Sequence, residues 1–252
     1  MLAGGVAAGA FGSLLGLGGG LLIVPLLTIG FGLPLREAVG VSLVCVIVTS
    51  SASAGVFLQR RLADLRLGMI LELFTAMGAI AGGLIAFVLD ERVLAALFAI
   101  VLVYVAVTML RVAPTGTNPP DGHDRQPGEY RRLPAAIGGS VGAGVVSALL
   151  GVGGGIVKVP VMHLIMGVPL RVATATSNLM IGITASASAI VYLVRGGIDV
   201  HAVGPTAVGV FVGATLGSRL GGRVQVRVLR LLFVGVLVFT AFEMGRRAVL
   251  GA

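Results

Sequence analysis

The chain has 252 residues, of which 57% are hydrophobic and only 11% charged. A soluble globular domain carries about 25% charged residues, so an ordinary water-facing surface is excluded and the chain reads as an integral membrane protein. The formal net charge is +8, yet only one of the 18 basic residues is a lysine, and the arginines gather in the gaps between apolar runs. That is the distribution of cytoplasmic flanks, not of a nucleic-acid-binding face.

Eight apolar segments follow one another at 1–29, 37–58, 67–89, 93–110, 135–166, 171–194, 200–222 and 228–245. At about 20 residues per crossing, segments of this size suit a hydrocarbon layer of about 30 Å. Runs such as 93–110 are apolar on nearly every face, which excludes the apolar–polar alternation of barrel strands. The expected class is therefore an all-α polytopic membrane protein. Met1 opens the first segment with no basic residue before Arg36; without the charged head of a signal peptide, this start reads as part of the mature membrane domain.

The first segment contains Gly16-Leu17-Gly18-Gly19-Gly20 and then Pro25. No soluble strand precedes the cluster and no GK[ST] ending follows it, so nucleotide binding is set aside. Two readings stay open. The glycines let helices pack closely, or they break the segment, and backbone N–H groups at the helix restart face a substrate anion. The second segment supplies Ser42, Thr49, Ser50, Ser51 and Ser53, with Cys45 as a small packing residue. The third holds Glu72, the one acid well inside a segment, as a coupling group or as the partner of a basic residue. After the fourth segment comes a polar, proline- and glycine-containing loop, taken as 112–134.

The fifth segment repeats the cluster as Gly151-Val152-Gly153-Gly154-Gly155, followed by Pro160. Between them stands Lys158, the chain's single lysine, which either snorkels to an interface or serves as an anion-attracting charge. The sixth segment carries Thr174, Thr176, Ser177, Asn178, Thr184, Ser186 and Ser188. Such hydroxyls donate to an oxyanion or bond the carbonyl four residues back; the Asn178 amide is harder to satisfy locally. His123, His163 and His201 form no clustered ligand set, so no metal and no cofactor are expected. No Ser/His/Asp arrangement is legible, and the chain is not read as an enzyme.

The two clusters belong to an internal duplication. GSLLGLGGGLLIVP at 12–25 matches SALLGVGGGIVKVP at 147–160, with a constant offset of 135 residues, as between Gly12 and Ser147. The same offset pairs Pro34-Leu35-Arg36 with Pro169-Leu170-Arg171, Asp64 with Asp199, and Gly78 and Gly82 with Gly213 and Gly217. The organisation is a duplicated four-segment unit: repeat 1 at 1–111, the loop at 112–134, and repeat 2 at 135–252. Each repeat's first segment is broken at GxGGG and either crosses the membrane or turns back as a re-entrant hairpin. The re-entrant version inverts the halves and gathers most of the arginines, including Arg60, Arg61, Arg66, Arg131 and Arg132, on one side. Positive-inside bias prefers that version.

The expected site lies where the halves meet. Substrate binding or gating falls to Gly18, Gly19, Gly20, Ser42, Gly153, Gly154, Gly155, Lys158, Ser177 and Asn178, with Glu72 as a coupling residue. LLGLGGGLLIVPLL at 14–27, PLREAVGVSL at 34–43, LLGVGGGIVKVPVM at 149–162 and PLRVATATSN at 169–178 resemble the TauE/SafE sulfite-exporter family of bacterial membrane permeases. The resemblance covers essentially the whole chain outside the loop. It implies a multi-pass inner-membrane protein that exports a small anion such as sulfite, a sulfonate or a related organic anion. The partners are then a small anionic solute and the lipid bilayer, with no nucleic acid; proton coupling, with Glu72 as its candidate, is left open. An anion channel is the mechanistic alternative; a membrane-embedded enzyme or a sensor is the alternative of another class.

Overall fold

The computed structural model describes residues 1–15, 19–59, 63–111, 133–220 and 226–250, and every regular element among them is helical. The polar loop lies outside the described residues except for Leu133 and Pro134, which already belong to a helix. In chain order the helices are α1 (Leu2–Leu15), α2 (Gly20–Pro25), α3 (Leu35–Gln59), α4 (Leu65–Val88), α5 (Glu91–Arg111), α6 (Leu133–Leu150), α7 (Gly155–Pro160), α8 (Leu170–Val194), α9 (Val200–Leu220) and α10 (Val226–Leu250). Two π-helical turns, Leu26–Gly30 and Val161–Ile165, continue α2 and α7. From α2 onward each helix start recurs 135 residues later in the second half.

Local chemistry sets these boundaries. The Asp64 carboxylate accepts from Leu67 N at 3.0 Å and caps α4; Asp199, at the matching place, accepts from His201 N at 2.9 Å and caps α9. Pro25 and Pro160 stand where the helix widens into a π turn, since proline removes an N–H and disrupts the regular ladder. Thr28 donates to Val24 O at 2.8 Å, close to that disruption.

Five described helices are long and apolar enough to cross a bilayer: Leu65–Val88, Glu91–Leu110, Leu133–Leu150, Val172–Val194 and Val200–Gly217. On α4 the large apolar residues Met69, Leu73, Met77, Ile80, Leu84 and Val88 are exposed, whereas Gly68, Glu72, Thr75, Gly78 and Gly82 are buried. An apolar stripe outside and small or polar residues inside is the pattern of a helix solvated by lipid.

The helix directions follow from named contacts. Asp64 N bonds Thr176 Oγ1 near the start of α4, and Phe87 meets Tyr192 near its end, so α4 and α8 run parallel. Arg36, at the start of α3, donates to Leu89 O just beyond α4. The helix α3 therefore runs antiparallel to α4 and to α8. Contacts of Gly5 with Thr206 and of Gly9 with Val210 make α1 parallel to α9, and contacts of Gly78 with Val141 and of Gly82 with Val145 make α4 parallel to α6. These pairs exchange elements between the halves. They depend on glycine: a methyl on Gly78 would run into the Val141 carbonyl, and one on Gly144 into that of Thr75.

The opening segment of each half doubles back. Gly4 lies against Leu26 and Gly19 near Ala8; Gly139 lies against Val161 and Gly154 near Ala143. Thus α2 and its π turn lie back along α1, and in the second half the chain turns at 151–154 and α7 and its π turn lie back along α6. The length of α6 is sufficient for a span, but its end feeds this interior turn.

Candidate functional site

The two turns meet inside the protein. A methyl on Gly20 would fall 2.5 Å from Gly151 O and 3.0 Å from both the Val152 Cα and Val46. Gly19 (φ 77°) precedes α2 and Gly154 (φ 75°) precedes α7; both are in the left-handed region that only glycine enters at little cost. Gly19 O accepts from the amides of Leu22 and Ile23, and Gly154 O from those of Val157 and Lys158. At the head of the second turn, Gly151 N and Val152 N donate to Ser147 O. Gly18 lies outside the described residues.

Ser42, buried on α3, ties the turns together: its hydroxyl donates to Gly151 O at 2.8 Å, with Gly20 O next at 3.4 Å. Ser177 holds the matching place on α8, but its buried hydroxyl has no partner, and it stands 3.4 Å from where a Cβ on Gly155 would be. Asn178 is satisfied more locally than its size suggested. Its Nδ2 donates to Thr174 O at 3.1 Å, while its backbone carbonyl accepts from Ser50. Thr49, Ser51, Ser186 and Ser188 also donate to carbonyls three or four residues back, the packing role open to all these hydroxyls. The Ser53 side chain lies outside the described residues.

Lys158 does not snorkel: it is 1% exposed. Its Nζ donates to Glu72 Oε2 at 3.0 Å and to the Thr184 hydroxyl, which in turn donates to Glu72 Oε1 at 2.6 Å. The triad joins α4, α7 and α8. Each charge finds its counter-charge and a hydroxyl, which buried ions require. The first half has no equivalent, since Ile23, Ala207 and Thr49 occupy the matching positions. Ser147, a buried hydroxyl without a partner at the end of α6, was not singled out in the sequence. Its signal was the replacement of Gly12 by a polar residue in an otherwise matched motif. His163 Nδ1 lies 2.8 Å from Val168 O, and among the described residues no group of three metal-binding side chains assembles.

The description "Sulfite exporter TauE/SafE" matches residues 1–244. The chain is 23% identical over 260 residues to the probable membrane transporter protein YunE of Bacillus subtilis, covering 95% of this chain and 94% of that one. It is 28% identical over 250 residues to the probable membrane transporter protein MJ0441 of Methanocaldococcus jannaschii, with 91% and 88% covered. A 109-residue stretch is 29% identical to the probable membrane transporter protein MamO of Magnetospirillum gryphiswaldense, covering 40% of this chain and 17% of that one. No solved structure matches.

Proposed function

The chain belongs to the sulfite exporter TauE/SafE family of membrane transporters, and from that premise we propose an exporter of a small anion such as sulfite, a sulfonate or a related organic anion. It works as a secondary transporter in the inner (cytoplasmic) membrane, with two inverted halves rocking or gating about a shared central site. The observation that carries this reading is the meeting of the two glycine turns, Gly20 against Gly151 and Val152, with Ser42 bridging them. Two re-entrant hairpins entering from opposite faces place irregular backbone at membrane depth. That is tolerated only where protein buries it or water reaches it.

In this mechanism Gly18, Gly19 and Gly20 in one turn and Gly153, Gly154 and Gly155 in the other let the backbone approach the anion. Ser177 donates to it, Lys158 supplies positive charge, and Ser42 holds the turns in register. Asn178 shapes the wall through its bond to Thr174 O, and Glu72 is the coupling group.

Purified protein in liposomes, offered sulfite, sulfonates, sulfate and small carboxylates with and without a proton gradient, tests the reading. Saturable flux of at least one anion is expected. Ser177→Ala should lower it about tenfold, the usual scale of one hydrogen bond to a charged group. Currents far above carrier turnover would make the protein a channel; chemical change of the solute in sealed vesicles would make it an enzyme.

A further inference from the structure

The charge inside the second hairpin is already balanced. Lys158 and Glu72 form a buried ion pair, with side chains 1% and 7% exposed, and Thr184 bridges them. An anion added to this neutral group would leave one negative charge uncompensated in surroundings of low dielectric, which strongly oppose it. An anion added together with a proton leaves none. Lys158 then keeps one negative partner throughout: Glu72 when the site is empty, the anion when Glu72 is protonated.

Lys158 is placed for that exchange. Its stem runs back toward the turn, with Cε 3.5 Å from the position a Cβ on Gly154 would take. Two buried hydroxyls without partners flank the same glycines: Ser177 beside Gly155, and Ser147, whose Cβ is 3.2 Å from the Gly154 position. Buried polar atoms rarely stay unpaired, so two at one turn call for a reason. The hydroxyl matching Ser177, Ser42, is engaged with Gly151 O, and the positions matching Lys158 and Glu72 are Ile23 in the first half and Ala207 in the second.

Building on the anion-transport reading above, we propose that the anion displaces Glu72 from Lys158 while Glu72 takes up a proton, so that a monoanion and a proton cross together, with Ser147 and Ser177 as hydroxyl donors to the anion. One Oε–H bond forms as one ion-pair contact breaks, and the buried net charge does not change. Among the described side chains the groups around Glu72 leave it as the acceptor: α6 has no titratable side chain, and α8 gives it the Thr184 hydroxyl, while the Tyr192 hydroxyl donates elsewhere, to Ala148 O. Lys158 comes from α7, exposed His163 is held by Val168 O, and on α4 itself Asp64 and Arg66 stand at the N-terminal end.

Methanesulfonate is the probe, because it remains ionised near neutral pH and cannot itself carry the proton. With full-length protein in liposomes, inward methanesulfonate flux should acidify the lumen by about one proton per anion, as charge balance at the site requires. That flux should not respond to a voltage set with potassium and valinomycin. Glu72→Gln should move the anion without protons and become voltage-sensitive. Neutralising both residues, Glu72→Gln with Lys158→Met, should cut flux about tenfold or more. Wild-type flux that carries charge and no proton overturns the coupling but leaves the transport reading standing, and so does proton movement undiminished in Glu72→Gln. Absence of flux for methanesulfonate, sulfite, sulfate and acetate alike overturns both. Should Glu72→Gln fail to insert, the wild-type proton-to-anion ratio decides alone.

Discussion

Lys158 and Glu72 are conspicuous singly and meaningful as a pair. Removing one partner strands the other charge in the interior, at a cost of about 3–5 kcal/mol, whereas replacing both with neutral residues of similar size is close to neutral. Lys158→Met and Glu72→Gln should therefore each destabilise the protein in detergent unfolding, and the double variant should recover most of the loss. Additive losses would mean that the 3.0 Å contact carries no coupling energy. The sequence exposes both members, a lone lysine and a lone acid in apolar runs, but not that they pair with each other. They are 86 residues apart, and which helices become neighbours depends on packing that no local pattern encodes. Asn178 illustrates the opposite limit: its amide was expected to be hard to satisfy locally, yet Nδ2 found a carbonyl one helical turn back.

Glycine acts in two distinct ways at the scale of the helices. At Gly144 it admits another backbone, since a methyl there would strike the Thr75 carbonyl; at Gly142, on the same helix, nothing lies within 4 Å of the added atom. Gly144→Ala should lower the unfolding midpoint by forcing α4 and α6 apart. Gly142→Ala should leave it unchanged or raise it, because alanine favours a helix by about 1 kcal/mol over glycine. Equal effects at both positions would remove the close-packing argument. Gly154 acts differently, through its φ of 75°. An alanine there pays about 1–2 kcal/mol for the left-handed conformation, so Gly154→Ala should destabilise the second turn and should weaken anion flux with it. The motifs and their common offset could be read from composition and spacing. Which glycines face a neighbouring helix could not, because α1 packs on α9 and α6 on α4, each across the boundary between the halves.

For the whole molecule, direction is the decisive quantity. The start of α3 stands beside the end of α4, shown by Arg36 bonding Leu89 O, and α4 runs parallel to α8. Corresponding helices of the two halves, α3 and α8, therefore run in opposite senses. Since α1 runs parallel to α9 and Arg247 near the end of α10 donates to Thr28 O, the start of α1 and the end of α10 both fall on the face where α3 begins. The end of α5 and the start of α6 fall on the other face, together with Arg66 at the start of α4, and the positive-inside bias predicts that this face is the cytoplasmic one. The test uses single cysteines in a Cys45→Ala background, since Cys45 is buried. Ala3→Cys and Arg246→Cys should react with a membrane-impermeant maleimide from outside intact cells, and Gly122→Cys only after lysis. Labelling of Ala3→Cys and Arg246→Cys from opposite sides would contradict the inverted arrangement. Labelling of both only after lysis, with Gly122→Cys reactive outside, would keep the inversion and reverse its orientation, sending the arginine-rich face outward against the charge rule.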